Sequence, residues 1–446
     1  MGVRMKTIGI IAEYNPFHQG HKYLIEEAKR ITGAQRLVVV MSGNSVQRGD
    51  FALVDEFIRA EEAVGQGADL VIGLPFCYSS QSAEYFAKGA TSILNSLGIT
   101  DFLCYGSEHN ELVSQRGIAN LLDKKSIEIL ELTQGMMKTG ISFPVAREQA
   151  VRQIGGKEYN YDIMATPNDI LAIEYLKSLS KLESQIEPVS VKRRGSNHND
   201  TDFETSMPSA SAIRSMILDK GSLYYHNLDA IPLSPSDMDL ELEKIKEMEL
   251  KTLESVVPSK LAKYIIGQKD RDSLGTLENY LDEIKALFIT RRASLDQIFE
   301  VGEGIENALA KHIHQADSLH ELILLAKSKR FAYTRIRRIL MNILIGLTKE
   351  DMILVKDSKD IPYGRLLAFN DQGRNMLKEI KEHGQITLIN KMSDFRPQSQ
   401  LHEVLLKYDN LVDELYYWKY QYIHQGKRVH HRSCTSPRYV RLKKGD

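Results

Sequence analysis

Two histidines separated by a glutamine and a glycine, His18 and His21, are the residues of this chain best suited to chemistry on phosphate. They follow an apolar run at 7–12 that predicts a buried strand, and they open a stretch with helical spacing. A helix N-terminus offers free N–H groups and a positive dipole end to an anion. Gly20 lets the backbone approach a ligand closely. Both imidazoles are predicted to donate to phosphate oxygens as an α-phosphate is attacked and pyrophosphate leaves.

The histidine pair has other interpretations. The pattern is short, so two structural histidines are the first alternative. Zinc binding would need cysteine or carboxylate partners at suitable spacing, and the sequence shows none. The sequence also lacks a Walker-A lysine motif, so a P-loop is not the source of phosphate binding. Cys77, Cys104 and Cys434 are too scattered for a zinc site or a disulfide framework, and we expect Cys77 and Cys104 to lie in the core.

A second polar segment, Ser209-Ala-Ser-Ala-Ile-Arg214, reads as a loop entering a helix. Hydroxyl side chains and free N–H groups at a helix start can bind phosphate, and we assign Ser211 to this role. Arg214 adds a cation that can neutralise a departing pyrophosphate. The alternative is a serine-rich cap beside an exposed arginine. The histidine pair at the other end of the same region favours the phosphate interpretation.

Short β-rich runs alternate with helical patterns through the first two hundred residues. This order predicts βαβ crossovers, hence a Rossmann-like parallel sheet with helices on both faces. Such sheets bind ligands beyond the carboxyl ends of their strands. The predicted strands are 7–12, 37–41, 69–73, 101–105 and 186–192, and the predicted helices are 20–31, 55–65, 82–97 and 168–179.

Past about residue 220 the β alternation fades, and long helical patterns occupy 240–256, 319–347 and 401–422. We therefore predict an α/β catalytic domain over residues 1–225 and a mainly helical domain over 226–446. The boundary is predicted in the polar, proline-containing stretch at 227–237.

The net charge of −1 excludes a uniformly basic nucleic-acid coat, but the charge is unevenly distributed. Residues 237–254 are acidic, whereas 327–338 and 427–444 are strongly basic, as expected if a polyanion contacts part of the surface. Ordinary solvated helix faces are the alternative. The sequence has neither a membrane-spanning apolar run nor a secretory signal, so we expect a cytoplasmic protein with no membrane partner, starting at Met1 or Met5.

Taken together, these motifs resemble the HxGH nucleotidyltransferase superfamily and, within it, the bacterial tRNA(Met) cytidine acetate ligase family. The resemblance covers nearly the whole chain. Two departures are Ser45, where the family has phenylalanine, and Glu56, where it has lysine. The stretches that carry the resemblance are 11–21, 41–49, 68–75, 81–86, 106–108, 167–169, 192–194, 209–214 and 333–338.

The resemblance implies a two-step reaction. Acetate attacks the α-phosphate of ATP to give acetyl-adenylate and pyrophosphate. The acetyl group then passes to N4 of the wobble cytidine, C34, of elongator tRNA(Met). ATP is the co-substrate, accompanied by Mg²⁺ held by phosphates and water, with no metal site of the protein. The implied ATP contacts are Ile11, Ala12, Glu13, Tyr14, Asn15, Pro16, Phe17, His18, Gln19, Gly20, His21, Leu24, Gly106, Asn168 and Arg193.

Several implied contacts also have structural interpretations. Gly106 is equally an ordinary turn glycine, Asn168 a helix cap, and Arg193 a solvated strand end. At the carboxyl end of the second strand, Asn44, Gln47 and Arg48 are predicted to meet the acyl group or the cytosine. On the helical half, tRNA is predicted to contact Arg330, Arg335 and Arg338 beside Phe331 and Tyr333.

Two other functions were weighed. One is a small-molecule adenylyltransferase acting on a phosphorylated precursor, although such an enzyme rarely needs a basic helical half of two hundred residues. The other is a non-catalytic RNA-binding module, against which both histidines and the Ser-x-Ser-x-x-Arg segment argue.

Overall fold

The structure is a computed structural model that describes residues 4–194, 207–218, 235–271, 273–328, 330–421 and 435–442. In these residues the strands are β1 (Thr7–Ala12), β2 (Arg36–Ser42), β3 (Ser45–Val46), β4 (Asp50–Phe51), β5 (Leu70–Leu74), β6 (Phe102–Ser107), β7 (Glu187–Lys192), β8 (Gly364–Phe369), β9 (Leu388–Ile389) and β10 (Arg438–Tyr439).

A largely parallel sheet forms the centre of the fold, in the order β10-β8-β5-β2-β1-β6-β7, with β9 also paired to β8. Strand β1 pairs in parallel with β2 on one side and β6 on the other. The strands β1, β2, β5, β6 and β7 are the five predicted ones, so the α/β prediction is confirmed. Because the strand order reverses beside β1, its carboxyl end is where such a sheet binds ligands.

The same described residues form the helices that surround the sheet. They are α1 (Gln19–Thr32), α2 (Glu56–Gly65), α3 (Phe76–Ser79), α4 (Ala83–Ser96), α5 (Leu112–Lys124), α6 (Ser126–Met137), α7 (Phe143–Gly155), α8 (Pro167–Lys181), α9 (Ala210–Leu218), α10 (Pro235–Glu254), α11 (Ser259–Lys269), α12 (Leu281–Thr290), α13 (Ile305–His312), α14 (Leu319–Ala326), α15 (Tyr333–Ile345), α16 (Lys349–Asp357), α17 (Asp371–His383) and α18 (Gln400–Gln421).

Both faces of the sheet are buried under helices from both halves of the chain. Successive residues of β2 point to opposite faces, so Val38 and Val40 join one core while Val39 joins the other. The first core continues into α15, where Ile336 is fully buried. The second continues into α11 through Ile265. Cys77 and Cys104 are free and buried, as predicted.

The second half of the chain also completes the sheet, which its helical pattern did not predict. Strand β8 runs antiparallel to β5, with Gly73 opposite Arg365. Strands β9 and β10 then pair with β8. The sheet therefore extends beyond the region predicted to be the α/β domain. Strand β8 is six residues long, carries Arg365 at a buried position and lies in a part of the chain dominated by helical patterns.

The predicted helix at 319–347 is wrong, because it is two helices, α14 and α15, separated by a turn. In the turn the hydroxyl of Ser328 accepts hydrogen bonds from the N–H groups of Arg330, at 3.3 Å, and Phe331, at 3.2 Å. A serine side chain that bonds nearby backbone in this way competes with helix formation. The buried ring of Phe331 then anchors the start of the next helix.

Part of the predicted domain boundary and most of the basic tail lie outside the described residues. Of the stretch at 227–237, residues 235–237 belong to α10 and the rest is not described. Cys434 and the segments 426–432 and 443–444 also lie outside the described residues. The division at residue 225 stays a prediction.

Candidate active site

The histidine pair lies at the junction of β1 and α1, where both rings are held by the backbone. His18 is the N-cap residue of α1, and its Nδ1 accepts a hydrogen bond of 3.0 Å from the N–H of Gly20. The Nδ1 of His21 accepts one of 3.2 Å from the N–H of His18. A neutral ring whose Nδ1 accepts carries its hydrogen on Nε2. The helix cap therefore fixes both histidines as Nε2–H donors.

The surroundings keep these two rings uncharged. Burial, followed by the nearby charges of Arg193 and Arg214, lowers the pKa of His18 to about 3. Burial, His18 and Arg193 also hold the pKa of His21 well below its ordinary value. The ring centroids lie 3.8 Å apart, and two imidazolium cations at this distance would repel each other. At neutral pH the histidines are thus hydrogen-bond donors, and the positive charge of the site comes from the two arginines.

The second polar segment reaches the same place from the far end of the α/β region. Ser209 begins α9 by accepting a hydrogen bond of 3.2 Å from the N–H of Ala212, and its hydroxyl lies 2.9 Å from that of Ser211. One turn later the Nη1 of Arg214 donates to the carbonyl oxygen of Asn15 at 2.8 Å. The predicted pairing of this segment with the histidine turn is therefore present in the fold.

Gly106 and Arg193 form the opposite wall of the turn, at the carboxyl ends of β6 and β7. Gly106 is a strand residue and not a turn glycine, because it pairs with Val191 inside the sheet. A methyl group added at Gly106 would lie 3.2 Å from the Cγ of Arg193, so the arginine side chain crosses directly over this glycine. Gly106 thus gives Arg193 room to approach the two imidazoles, whose pKa values it lowers.

Asn168 lies in the first turn of α8 but does not cap the helix. Its amide donates to Glu108 at 2.5 Å, and the same carboxylate accepts the backbone N–H of Asp169 at 3.2 Å. Sequence reasoning gave Glu108 no role, although a carboxylate facing a helix start is the ordinary way to satisfy such N–H groups.

Beside it, Asp169 is fully buried at the centre of a polar cluster that sequence reasoning also missed. It accepts hydrogen bonds from Nδ1 of His109 at 2.7 Å, from Thr166 at 2.8 Å and from Gln115 at 2.8 Å. Burial raises the pKa of Asp169, but these donors outweigh burial and lower it overall. The cluster ties the turn after β6 to the start of α8.

On the other side of β1, the residues predicted to meet the acyl group or the cytosine have different surroundings. The amide of Asn44 is buried, donating to Asp413 at 2.8 Å and to Tyr417 at 3.2 Å. It therefore connects the loop after β2 to α18. The backbone N–H of Gln47 donates to Glu13 at 2.7 Å, while Arg48 lines a large cleft.

This cleft has a volume of about 1070 Å³ and separates the two halves of the chain. Glu13, Arg48, Ser211 and Arg214 lie on the α/β side. The helical side includes Lys269, Glu278, His320, Tyr333 and Arg337. The cleft thus runs from Glu13 and Arg214, beside the histidine turn, to Tyr333 and Arg337 of the basic helix α15, with cations on both of its walls.

The arginines of α15 point to different places. Arg335 pairs with Glu303 at 3.2 Å and lies over the ring of Phe331, and Arg338 pairs with Glu300 at 3.4 Å. Arg330 is exposed in the turn before the helix. Arg337, which sequence reasoning passed over, lines the cleft and pairs with Asp50 at 2.6 Å. The spacing of Arg335 and Arg338 gave no reason to choose Arg337. Its importance depends on Asp50 of the β3–β4 hairpin, a partner that helical spacing cannot reveal.

The two departures from the family pattern are both buried beside the loop after β2. The hydroxyl of Ser45 lies 3.3 Å from that of Ser79. Glu56 pairs at 2.6 Å with Arg365, which also pairs with Asp413 at 2.7 Å. Burial raises the pKa of Glu56, and the guanidinium of Arg365 acts in the opposite direction. Both side chains therefore serve packing and charge pairing here, and neither lines the cleft.

The described part of the chain has neither a cluster of metal ligands nor a membrane-spanning helix. No group of three or more His, Cys, Asp or Glu side chains in this part of the chain is arranged to hold a metal ion. Among the same residues, no helix is both long and apolar enough to cross a bilayer.

The sheet and the capped imidazole pair define a class of protein, the α/β nucleotidyl transferases. The family model described as HIGH Nucleotidyl Transferase matches residues 5–430. A tRNA(Met) cytidine acetate ligase from Clostridium novyi is 36% identical over 389 residues, which cover 87% of this chain and 90% of that protein. The chain belongs to the family of tRNA(Met) cytidine acetate ligases.

Solved structures show the same likeness. Apo TmcAL from Thermotoga maritima superposes with a TM-score of 0.83 at 27% identity, covering 98% of this chain and all of that one. TmcAL from the same organism bound with alpha-thio ATP gives a TM-score of 0.80 at 26% identity, covering 98% of this chain and 100% of that one.

Proposed function

We propose that this chain is a tRNA(Met) cytidine acetate ligase of the cytoplasm. In the first step acetate attacks the α-phosphate of ATP, so that acetyl-adenylate forms and pyrophosphate leaves. In the second step the acetyl group passes to N4 of cytidine C34 in elongator tRNA(Met), and AMP leaves. The relatives named for this activity support it over an adenylyltransferase acting on a phosphorylated small molecule.

The observation that carries the proposal is the charge state of the histidine site. Two neutral Nε2–H donors lie beside two arginines at the carboxyl end of β1. Such donors stabilise the charge that develops on phosphoryl oxygens, and arginine stabilises the departing pyrophosphate. In the proposed arrangement ATP lies between the histidine turn and Gly106, with Asn168 and Arg193 beside it, and Ser211 and Arg214 face the outer phosphates.

Magnesium enters as part of the substrate MgATP. The phosphates and water supply most of its ligands, as is usual for this ion. This agrees with a site that is rich in arginine and histidine.

The function is tested by incubating the protein with ATP, labelled acetate and bulk tRNA, followed by digestion to nucleosides. We expect the label in N4-acetylcytidine and one AMP released per acetyl group. Omitting tRNA should leave acetate-dependent exchange of pyrophosphate into ATP. Labelled tRNA without this nucleoside, or exchange that does not depend on acetate, would contradict the proposal.

The tRNA contacts on the helical half are part of the same proposal. Arg335 and Arg338 lie three residues apart on α15, near Phe331 and the exposed Arg330, and their side chains are 31% and 15% exposed. Glu303, the partner of Arg335, is 56% exposed, so that ion pair is worth at most about 1 kcal/mol and can exchange for a phosphate. The pair between Arg338 and Glu300 is more buried. Exposed cations beside aromatic rings are typical of surfaces that bind unpaired nucleotides.

Replacing both Arg335 and Arg338 by glutamate is expected to weaken tRNA binding roughly tenfold or more and to reduce its salt dependence. Each lost phosphate contact should lower the slope of log K against log salt by about 0.7 to 0.9. Lys378→Glu with Lys381→Glu on α17 makes the same charge change at the same spacing and should leave the slope unchanged. An unchanged slope in the arginine variant would move the tRNA surface elsewhere.

A further inference from the structure

We propose that Glu13 is the general base of the acetyl-transfer step, accepting the proton that the cytidine amine loses. This rests on the proposed function and extends it, because it assigns a side chain to the second of the two reactions. It also separates the roles of neighbouring residues in one turn, with the imidazoles serving adenylate formation and the carboxylate serving transfer.

The first argument is position. Glu13 directly follows the last residue of β1, and its side chain lines the cleft between the two halves. Its neighbour Tyr14 packs edge-on against the ring of His21, with centroids 4.8 Å apart. Tyr14 also has a φ of 47°, a left-handed conformation that is uncommon for a non-glycine residue and recurs at functional sites. The turn therefore presents imidazoles on one side and a carboxylate to the cleft on the other.

The second argument is that the Glu13 carboxylate has few hydrogen-bond donors around it. One carboxylate oxygen of Glu13 accepts the N–H of Gln47 at 2.7 Å, and no described residue donates to the other oxygen. The remaining carboxylates that line the cleft are engaged. Asp50 holds Arg337 at 2.6 Å and the N–H of Leu277 at 2.7 Å. Asp270 pairs with Lys246 at 3.2 Å, and Glu278 accepts the N–H groups of Leu319 and His320 at 2.6 and 3.2 Å.

The third argument is the chemistry of the step. N4 of cytidine attacks the acetyl carbon of acetyl-adenylate, so that a C–N bond forms. The bond from the acetyl carbon to the phosphate oxygen breaks, and AMP leaves with its electron pair. The attacking nitrogen becomes positively charged and must lose one of its two hydrogens, which the carboxylate of Glu13 takes. The acyl group has to lie between the α-phosphate and the amine, which places it beside this turn.

A cation shares this wall of the cleft with Glu13. Arg214 lines the same cleft, but its Nη1 is directed to the carbonyl oxygen of Asn15. The charge of Glu13 in turn favours the charged form of Arg214, opposing the effect of burial on the arginine pKa. The two groups thus share one wall of the cleft, with the cation toward phosphate and the carboxylate toward the amine.

The test is Glu13→Gln, which keeps a side-chain oxygen for the N–H of Gln47 and removes the ability to take a proton. Because Glu13 belongs to the turn proposed to bind ATP, we expect acetate-dependent pyrophosphate exchange to fall as well, but much less than acetyl transfer does. Single-turnover transfer from synthetic acetyl-adenylate to tRNA should fall about a hundredfold or more, the range for a lost general base. Glu26→Gln, the same change at an exposed position of α1, should alter neither step.

The pH dependence distinguishes a base from a structural contact. Wild-type transfer should slow as the solution is acidified, and the glutamine variant should lose this dependence while Glu13→Asp retains it. Wild-type transfer in Glu13→Gln, or equal losses in both steps, would overturn the proposal. If transfer is retained, His320 on the opposite wall of the cleft becomes the group to replace. Failure of the wild-type chain to acetylate tRNA would instead contradict the proposed function.

Discussion

A His21→Asn variant is expected to lose about a hundred- to a thousandfold in acetate-dependent pyrophosphate exchange, the usual effect of removing one donor to a transition-state oxyanion. The asparagine oxygen can replace Nδ1 of the imidazole as acceptor for the N–H of His18, which is 3.2 Å away. The cap of α1 is thereby kept. What disappears is the Nε2–H group that is proposed to face the phosphates.

The matched variant is His21→Gln, whose longer amide reaches toward the position of Nε2. We expect it to retain more exchange activity than His21→Asn, although it loses the cap contact. Thermal unfolding of both variants measures that loss, which should be about 1 kcal/mol. Wild-type exchange by a well-folded His21→Asn protein would show that this ring does not act on phosphate.

An Arg365→Met variant is expected to lose about 3 to 5 kcal/mol in the free energy of unfolding, the range for breaking a buried ion pair from one side. Arg365 is 5% exposed and contacts the carboxylates of both Glu56 and Asp413. Without the guanidinium, two acids remain in the interior. Asp413 also holds Asn44, so the loop after β2 should loosen together with α18.

The loss should depend on pH in a defined direction. In the wild-type chain Arg365 opposes the rise that burial causes in the pKa of Glu56, so its removal raises that pKa further. An acid whose pKa is higher in the folded than in the unfolded state contributes stability at low pH that is lost as pH rises. Denaturant unfolding of Arg365→Met should therefore show a larger loss at pH 9 than at pH 6. A second change, Glu56→Gln, should restore part of the stability, whereas a loss that is equal at both pH values would contradict this account.

Local patterns predicted the first half of the fold well. Each of β1, β2, β5 and β6 carries a run of consecutive buried apolar residues, which identifies a strand covered on both faces. Strand β8 was missed because its place in the sheet depends on pairing with β5, almost three hundred residues away. The sequence of β5 does not indicate which later segment pairs with it. The turn at Ser328 was missed because helical spacing resumes directly after it.

Only some residues of the candidate site were interpreted correctly from the sequence, for a similar reason. The histidine pair was found from its residue types, its spacing and its position directly after the first predicted strand. Sequence alone did not show which side chains are already engaged. Asn44 is polar and follows a strand, as a substrate contact would, yet its amide is occupied by Asp413 and Tyr417. The partners of Glu108 and Arg337 also lie far from them in the sequence.

The antiparallel strand β8 has a consequence for how the chain is made. On the ribosome, β5 emerges long before residues 364–369, so its hydrogen-bonding edge stays open while most of the polypeptide is still being synthesised. The sheet that carries the histidine turn reaches its full width only after residues 364–369 and 438–439 have been synthesised. Prematurely terminated chains would expose this edge to one another, so a truncated product ending near residue 225 should aggregate more readily than the full-length protein.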